Sequence, residues 1–236
     1  MKVLVLLACG ACLVCGWAPP PASARVDLRG SRTSHSHPYL IARVRPGISV
    51  AVRSSPFGRV LAHLGDRTPF GSQRTFSVVR RRGRWLQITE PTLTRGRLGW
   101  IDAHPGRLRY VTTPLEIEVD LSSRTLVLRR NTEVLRRILV DIGSAQSPTP
   151  IGRFAITDKL DGAAYSPVYG CCILALSTRQ MHLPARWRGG DRLAIHATNS
   201  GGFGHALTAG CVRAANSDLH YLMQRVPLGA PVVIHH

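Results

Sequence analysis

Lysine is almost missing from this 236-residue chain. Only Lys2 and Lys159 carry it, against 29 arginines, and 13 acidic residues face 31 basic ones for a formal charge of +18. The arginine bias reads first as codon usage in a GC-rich genome, not as a binding code. The shortage of acid excludes an acidic surface of the chain's own and favours polyanionic partners: nucleic acid, anionic lipid or an anionic wall polymer. Also missing is an apolar run long enough to cross a bilayer. The longest, Val3 to Ala18, has 16 residues, short of the roughly 20 that a spanning helix needs. Internal repeats, long low-complexity tracts, nucleotide loops, metal-ligand motifs and flavin fingerprints are absent too, so no cofactor and no metal are expected. What is present is apolar content. With 44% hydrophobic and 19% charged residues, the chain can bury a sizeable core, which argues against disorder.

Residues 1–24 have the three-part layout of a secretory signal. Lys2 precedes the apolar run, Pro19, Pro20 and Pro21 follow, and Ala22-Ser23-Ala24 forms a small-x-small site. Cleavage after Ala24 is expected, with export to the periplasm or cell wall and no membrane anchor left. Cys9, Cys12 and Cys15 imitate an iron–sulfur run but would leave with the signal. A lipoprotein form lipidated on Cys9 is the lesser alternative. The mature chain keeps Cys171, Cys172 and Cys211. An odd thiol in an oxidising compartment is either reactive or buried.

Residues 25–38 are polar and aperiodic and read as a linker. Residues 39–112 carry short apolar stretches, such as Ile48–Val52, Val60–Ala62, Phe76–Val79, Trp85–Ile88 and Gly99–Ile101, punctuated by Gly and Pro. This spacing predicts a small barrel or sandwich. From Leu115 the alternation is strict: Leu115–Asp120, then Thr125–Leu128 after a Ser122-Ser123 turn. Further strands are expected at Val134–Ile142, Arg153–Thr157, Cys172–Ser177, Arg192–Ala197 and Pro231–His235. One helix is expected at Asp218–Val226, capped by Asn216 or Ser217 and ended by Pro227-Leu228-Gly229. The fold class is therefore mostly β. Charge splits unevenly, with net +13 over residues 25–114 and +4 over 115–236. The first half is the better candidate for binding polyanions, although the run Arg80-Arg81-Arg82-Gly83-Arg84 reads as a solvated hairpin turn.

The chemistry lies in residues 195–216. His196 ends an expected strand, a loop with Gly201, Gly202 and Gly204 follows, and Thr208-Ala209-Gly210-Cys211-Val212-Arg213 precedes the helix. The loop lets His196 approach Cys211. A neighbouring imidazole lowers a thiol pKa and carries protons between steps, which is the logic of nucleophilic catalysis. The backbone N–H groups of Gly210 and Cys211 are the candidate oxyanion donors.

These stretches resemble the YkuD-type L,D-transpeptidase catalytic domain. The match is carried by the Leu115–Leu128 hairpin, Pro148-Thr149-Pro150-Ile151-Gly152-Arg153-Phe154, Ile195-His196-Ala197-Thr198-Asn199, and Gly210-Cys211-Val212-Arg213 with Asn216 and Asp218-Leu219. The resemblance implies a β-rich catalytic domain over 115–236, with a helix after the catalytic cysteine. Cys211 would be the nucleophile, His196 the base, and a peptidoglycan stem peptide the substrate. An acyl-enzyme would form with release of D-alanine and be resolved by a stem-peptide amine, giving a 3→3 cross-link. Arg213 would bind a substrate carboxylate or brace the loop. Thr208, Thr198 and Asn199 are further candidate substrate contacts, and the partner that orients His196 is a backbone carbonyl, Thr198 or Asn199. Ala209 departs from the family's usual histidine before Gly-Cys, and His205 is a candidate to compensate.

Residues 39–112 weakly resemble a bacterial Src-homology-3-like barrel, on Val52-Arg53-Ser54-Ser55-Pro56 with Gly58, Gly83–Ile88 and Gly96–Ile101. Trp85 and Trp100 read as its core, and the arginine-rich half as the contact to anionic wall polymers. Cys171 and Cys172 are expected to pack, because neighbouring cysteines bridge only with strain. A zinc site with His182 and His196 lacks recognisable spacing. Two alternatives stand beside the transpeptidase: an L,D-carboxypeptidase using the same residues, and a non-catalytic wall-binding protein. Nucleic-acid binding is disfavoured by export and by the lack of an aromatic-basic motif.

Overall fold

The computed structural model describes residues 38–93 and 97–236. The expected signal segment 1–24, with Cys9, Cys12 and Cys15, and the expected linker, apart from Pro38, lie outside the described residues, as does Gly96. Among the described residues, no helix is long and apolar enough to cross a membrane.

The N-terminal part is a seven-stranded sheet built from β1 (Tyr39–Val44), β2 (Val50–Arg53), β3 (Val60–Leu64), β4 (Thr75–Arg82), β5 (Trp85–Thr89), β6 (Leu98–Asp102) and β7 (Leu108–Thr113). Its spatial order is β3-β2-β6-β5-β4-β1-β7. Alternate residues point inward, as a pleated strand requires. Val52, Phe76, Leu86, Ile88 and Ile101 form a core separate from that of the second sheet. The arginine run is the exposed tip of the β4–β5 hairpin. Trp85 is buried and meets the exposed Phe57 ring edge-on, with centroids 5.1 Å apart. Trp100 is only half-buried and stands outside the core cluster, contrary to expectation. Its position on β6 pairs it with Gln87 and Arg53 at the sheet surface.

The second sheet uses β8 (Leu115–Asp120), β9 (Thr125–Arg130), β10 (Glu133–Leu139), β12 (Gly152–Asp161), β13 (Cys172–Arg179), β14 (Arg192–Thr198), β16 (Val212–Ala215) and β17 (Pro231–His235). Its order is β10-β9-β8-β17-β12-β13-β14-β16. The last strand therefore closes the middle of the sheet, parallel to β8 and antiparallel to β12. A short parallel pair, β11 (Ile142–Gly143) and β15 (Ala206–Thr208), lies beside it. The strand expected over Val134–Ile142 is thus two pieces, broken where the backbone of Asp141 pairs with Arg213 instead. The single α-helix among the described residues, α1 (Asn216–Arg225), packs Leu219 and Leu222 into the core. Fully burying such a leucine stabilises by about 2 kcal/mol. The helix starts two residues earlier than expected, at Asn216, with Ala215 as its N-cap and no side-chain cap. Asn216 is unavailable as a cap because its side chain holds Cys171, Thr198 and Asn199.

The two sheets belong to one compact unit. Gly229, at φ +84°, meets the first sheet, and a Cβ there would strike Thr75 and Ile41. The hydroxyl of Thr68 donates to the fully buried Asp158 of β12, and Arg179 Nε donates to the Pro91 carbonyl at 3.1 Å.

Candidate active site

Strand pairing brings the candidate pair together. β14 and β16 run parallel in a register that sets Ile195 beside Val212 and His196 beside Arg213. Ile195, Ala197, Val212 and Ala214 fill the core. The alternation turns His196, Cys211 and Arg213 into a cleft of about 350 Å³.

His196 is buried, and its Nδ1 lies 2.7 Å from the carbonyl oxygen of Ala197. A carbonyl can only accept, so Nδ1 carries the proton and the lone pair stays on Nε2. The orienting partner is thus a backbone carbonyl, not Thr198 or Asn199. The ring of Tyr169 meets the imidazole edge-on, with centroids 4.9 Å apart. Burial holds the His196 pKa below its ordinary value. Burial also pushes the Cys211 thiol up to about 11, against a weaker lowering by an Ala194 backbone hydrogen bond. Both groups are therefore uncharged near neutrality. Among the described residues no hydrogen bond joins them in the free protein. The arrangement suits a base that takes the thiol proton during attack, not a standing thiolate–imidazolium pair.

The loop before Cys211 is fastened from three sides. Thr208 Oγ1 donates to the Cys211 carbonyl at 2.6 Å and accepts from Gly210 N–H at 3.1 Å. Thr149, from the Pro-Thr-Pro segment, donates to the Gly210 carbonyl at 2.8 Å. Gln180 Nε2 bridges the Pro148 and Ala209 carbonyls, both at 3.1 Å. Of the two expected oxyanion donors, the Gly210 N–H is hydrogen-bonded to Thr208 Oγ1.

Arg213 lines the cleft, yet its Nε and Nη2 lie 3.0 and 2.8 Å from Oδ2 of the fully buried Asp141. Of its two expected roles, the geometry is that of a brace. His205 is held by the same carboxylate through its backbone N–H at 3.0 Å and stands outside the cleft lining, so it does not replace the imidazole missing at Ala209. Thr208 lines the cleft. Thr198 and Asn199 do not: they face Asn216 through the Thr198 carbonyl and Asn199 Oδ1.

Cys171 and Cys172 form a disulfide, against the expectation that they pack unbridged. Their Cα atoms are 3.7 Å apart. The Gly162 N–H donates to the Cys171 carbonyl, and Asn216 Oδ1 accepts the Cys171 N–H, so the turn that brings the sulfurs together is held from both sides. Their sulfurs and His220 lie within 4.8 Å of one another, but the disulfide commits both sulfurs.

Asp141, Gln180 and Phe70 belong to the site or its rim and were not singled out in the sequence. Asp141 had only a weak signal, a lone acid interrupting an apolar strand.

The chain is similar to known proteins. The YkuD family model, described as an L,D-transpeptidase catalytic domain, matches residues 114–234. The Bacillus subtilis protein YkuD, named as an L,D-transpeptidase, is 30% identical over 132 residues, which cover 56% of this chain and 72% of that protein. Its Bacillus licheniformis namesake is 30% identical over 131 residues, covering 55% and 71%. Among solved structures, an L,D-transpeptidase from Mycobacterium smegmatis is 17% identical with a TM-score of 0.40, covering 64% of this chain and 90% of that one. One from Enterococcus faecium is 17% identical with a TM-score of 0.43, covering 72% of each chain.

Proposed function

This chain belongs to the YkuD family of L,D-transpeptidase catalytic domains, and on that premise we propose that it is an exported cysteine transpeptidase that forms 3→3 cross-links in peptidoglycan. The observation that carries the reading is that Cys211 directly precedes β16, which runs parallel beside the strand of His196, so that both line one cleft, with the imidazole proton fixed on Nδ1.

The steps follow from that placement. Cys211 Sγ attacks the carbonyl of the third stem residue while His196 Nε2 takes the thiol proton. The Cys211 N–H stabilises the oxyanion. As the tetrahedral species collapses, the peptide C–N bond breaks and His196 returns the proton to the departing amine of D-alanine. A thioester remains on Cys211. A side-chain amine of a second stem then attacks it, His196 accepts the amine proton, and the thiol is restored as the new amide forms. The exposed arginines of the β4–β5 hairpin are the proposed contact to anionic wall polymers.

The test incubates the protein, and its Cys211→Ala variant, with disaccharide-tetrapeptides and reads products by mass spectrometry. A cross-linked dimer lacking one D-alanine, absent with the variant, is expected. Cysteine-dependent tripeptide without dimer would replace the reading with a carboxypeptidase. Neither product from a panel of stem peptides would favour wall binding without catalysis.

A further inference from the structure

The cleft that holds Cys211 and His196 is not walled by the family-matched residues alone. Phe70, from the N-terminal sheet's side of the molecule, lines it as well. Phe70 sits at the tip of a tight loop closed by the Arg67–Gln73 bridge and by hydrogen bonds from Thr68 N to the Ser72 carbonyl and from Gly71 N to the Thr68 carbonyl. The loop is tied to β12 through Thr68 and Asp158. From there the Phe70 ring meets Tyr165 edge-on at 6.1 Å and lies over the guanidinium of Arg192 at 5.5 Å.

Arg192 also lines the cleft, and its donors are unevenly used. The guanidinium's hydrogen bonds among the described residues all leave from Nη1, to Thr157 Oγ1 at 3.1 Å and the Leu176 carbonyl at 3.4 Å. Nε is buried without a partner. Asp158 does not claim that edge. Its Oδ2 is 3.9 Å from Nη1 and lacks a hydrogen bond, while its Oδ1 receives Thr68. Glu90, Asp191 and Arg179 complete the charges around Arg192. Nη2 makes no hydrogen bond among the described residues, so it is the donor left for a carboxylate in the cleft. Arg213, the other arginine of the cleft that the sequence marked, is already taken by Asp141.

We propose that Phe70 and Arg192 form a subsite, assembled from both sheets, that binds a carboxylate of the donor peptide. This deepens the transpeptidase reading and rests on it for the identity of the peptide. The carboxylate pairs with Arg192 Nη2, and the Phe70 ring shields the pair from water and covers the neighbouring peptide. The N-terminal sheet thereby takes part in substrate choice.

The test measures binding first, so that it does not depend on turnover. Calorimetry on the full chain carrying Cys211→Ala compares a disaccharide-tetrapeptide having free carboxylates with versions in which the second-, third- or fourth-residue carboxylate is blocked as its amide. One amide is expected to bind about tenfold or more weakly, the range for hydrogen bonds to a charged group. Adding Arg192→Gln should abolish that discrimination, and Arg192→Lys, which keeps the charge but not the guanidinium, should leave only part of it. Adding Phe70→Ala, a change at the exposed rim, should weaken all the peptides. In the protein with Cys211 intact, Arg192→Gln should raise KM for the free-carboxylate peptide and leave kcat near its original value. Equal binding of free and amidated peptides, or discrimination that survives both Arg192 variants, would overturn the proposal. Unchanged binding in Phe70→Ala would remove the N-terminal sheet from it. Discrimination in binding, with no acylation of Cys211 by any peptide, would uphold the subsite while rejecting the transpeptidase reading.

Discussion

Arg213 and Asp141 meet in two hydrogen bonds on one carboxylate oxygen, with Arg213 Nε at 3.0 Å and Nη2 at 2.8 Å from Asp141 Oδ2. Their backbones pair as well, each N–H to the other's carbonyl. Arg213 stands two residues after Cys211, and Asp141 is fully buried. The pair therefore fixes where β16, the strand that follows Cys211, begins.

Asp141→Asn should destabilise the fold by roughly 3 kcal/mol, because it leaves a mostly buried guanidinium without its counter-charge. Urea unfolding reads this. Replacing Asp141 should also lower acylation at Cys211 more than it raises KM, since the loop and not the peptide loses its anchor.

Gly210→Ala should cost of order 1–3 kcal/mol in backbone strain and abolish turnover. Gly210 holds φ +111°, and an added Cβ would strike Gln180 Nε2. Pairing the change with Gln180→Ala removes the collision but not the dihedral penalty, so activity should not return. Recovery in the double variant would show that crowding alone was at fault.

The pH dependence has two limbs. His196 has a depressed pKa in the folded state. Its contribution to stability is present above the ordinary imidazole value of about 6.5 and is lost as pH falls through the lowered one. Cys211 has a raised pKa, so its contribution is present below the ordinary thiol value of about 8.5 and is lost as pH rises towards about 11. Unfolding curves against pH for His196→Gln and Cys211→Ala should each flatten the matching limb. Alkylation of Cys211 by iodoacetamide, followed on its tryptic peptide, should accelerate with pH well beyond 8.5.

The disulfide joins neighbouring residues and closes almost no chain, so it restricts the unfolded state little. Cys171→Ser with Cys172→Ser should therefore change global stability by only about 1 kcal/mol. The larger effect should be local, because Tyr169, two residues before Cys171, packs on His196. Peptide mapping without reductant should find the fragment holding both cysteines two hydrogens lighter than its reduced form.

Part of this was legible in the sequence for physical reasons. Leu115–Asp120 alternates strictly because one face of β8 is core, and its strand fell as expected. Cys211 and His196 could be marked because a short motif holds them near one another in the chain. β1 and β7 escaped notice because Tyr39 and Arg43 in the one and the exposed Arg109 and Tyr110 in the other break the apolar pattern. Asp141 gained meaning only from Arg213, 72 residues away. Phe70 gave no signal, since nothing local ties it to a cleft whose Cys211 comes 141 residues later. Asn216 stood where a helix cap belongs, but tertiary partners on two other segments claimed its side chain.

The account turns on Cys211 carrying the acyl group. The most direct measurement is the intact mass of the protein quenched in acid after brief exposure to a disaccharide-tetrapeptide. The account predicts a gain equal to the donor minus D-alanine, mapped to Cys211, absent in Cys211→Ala and slowed in His196→Gln. A gain that persists in Cys211→Ala, or that maps to another residue, would contradict it.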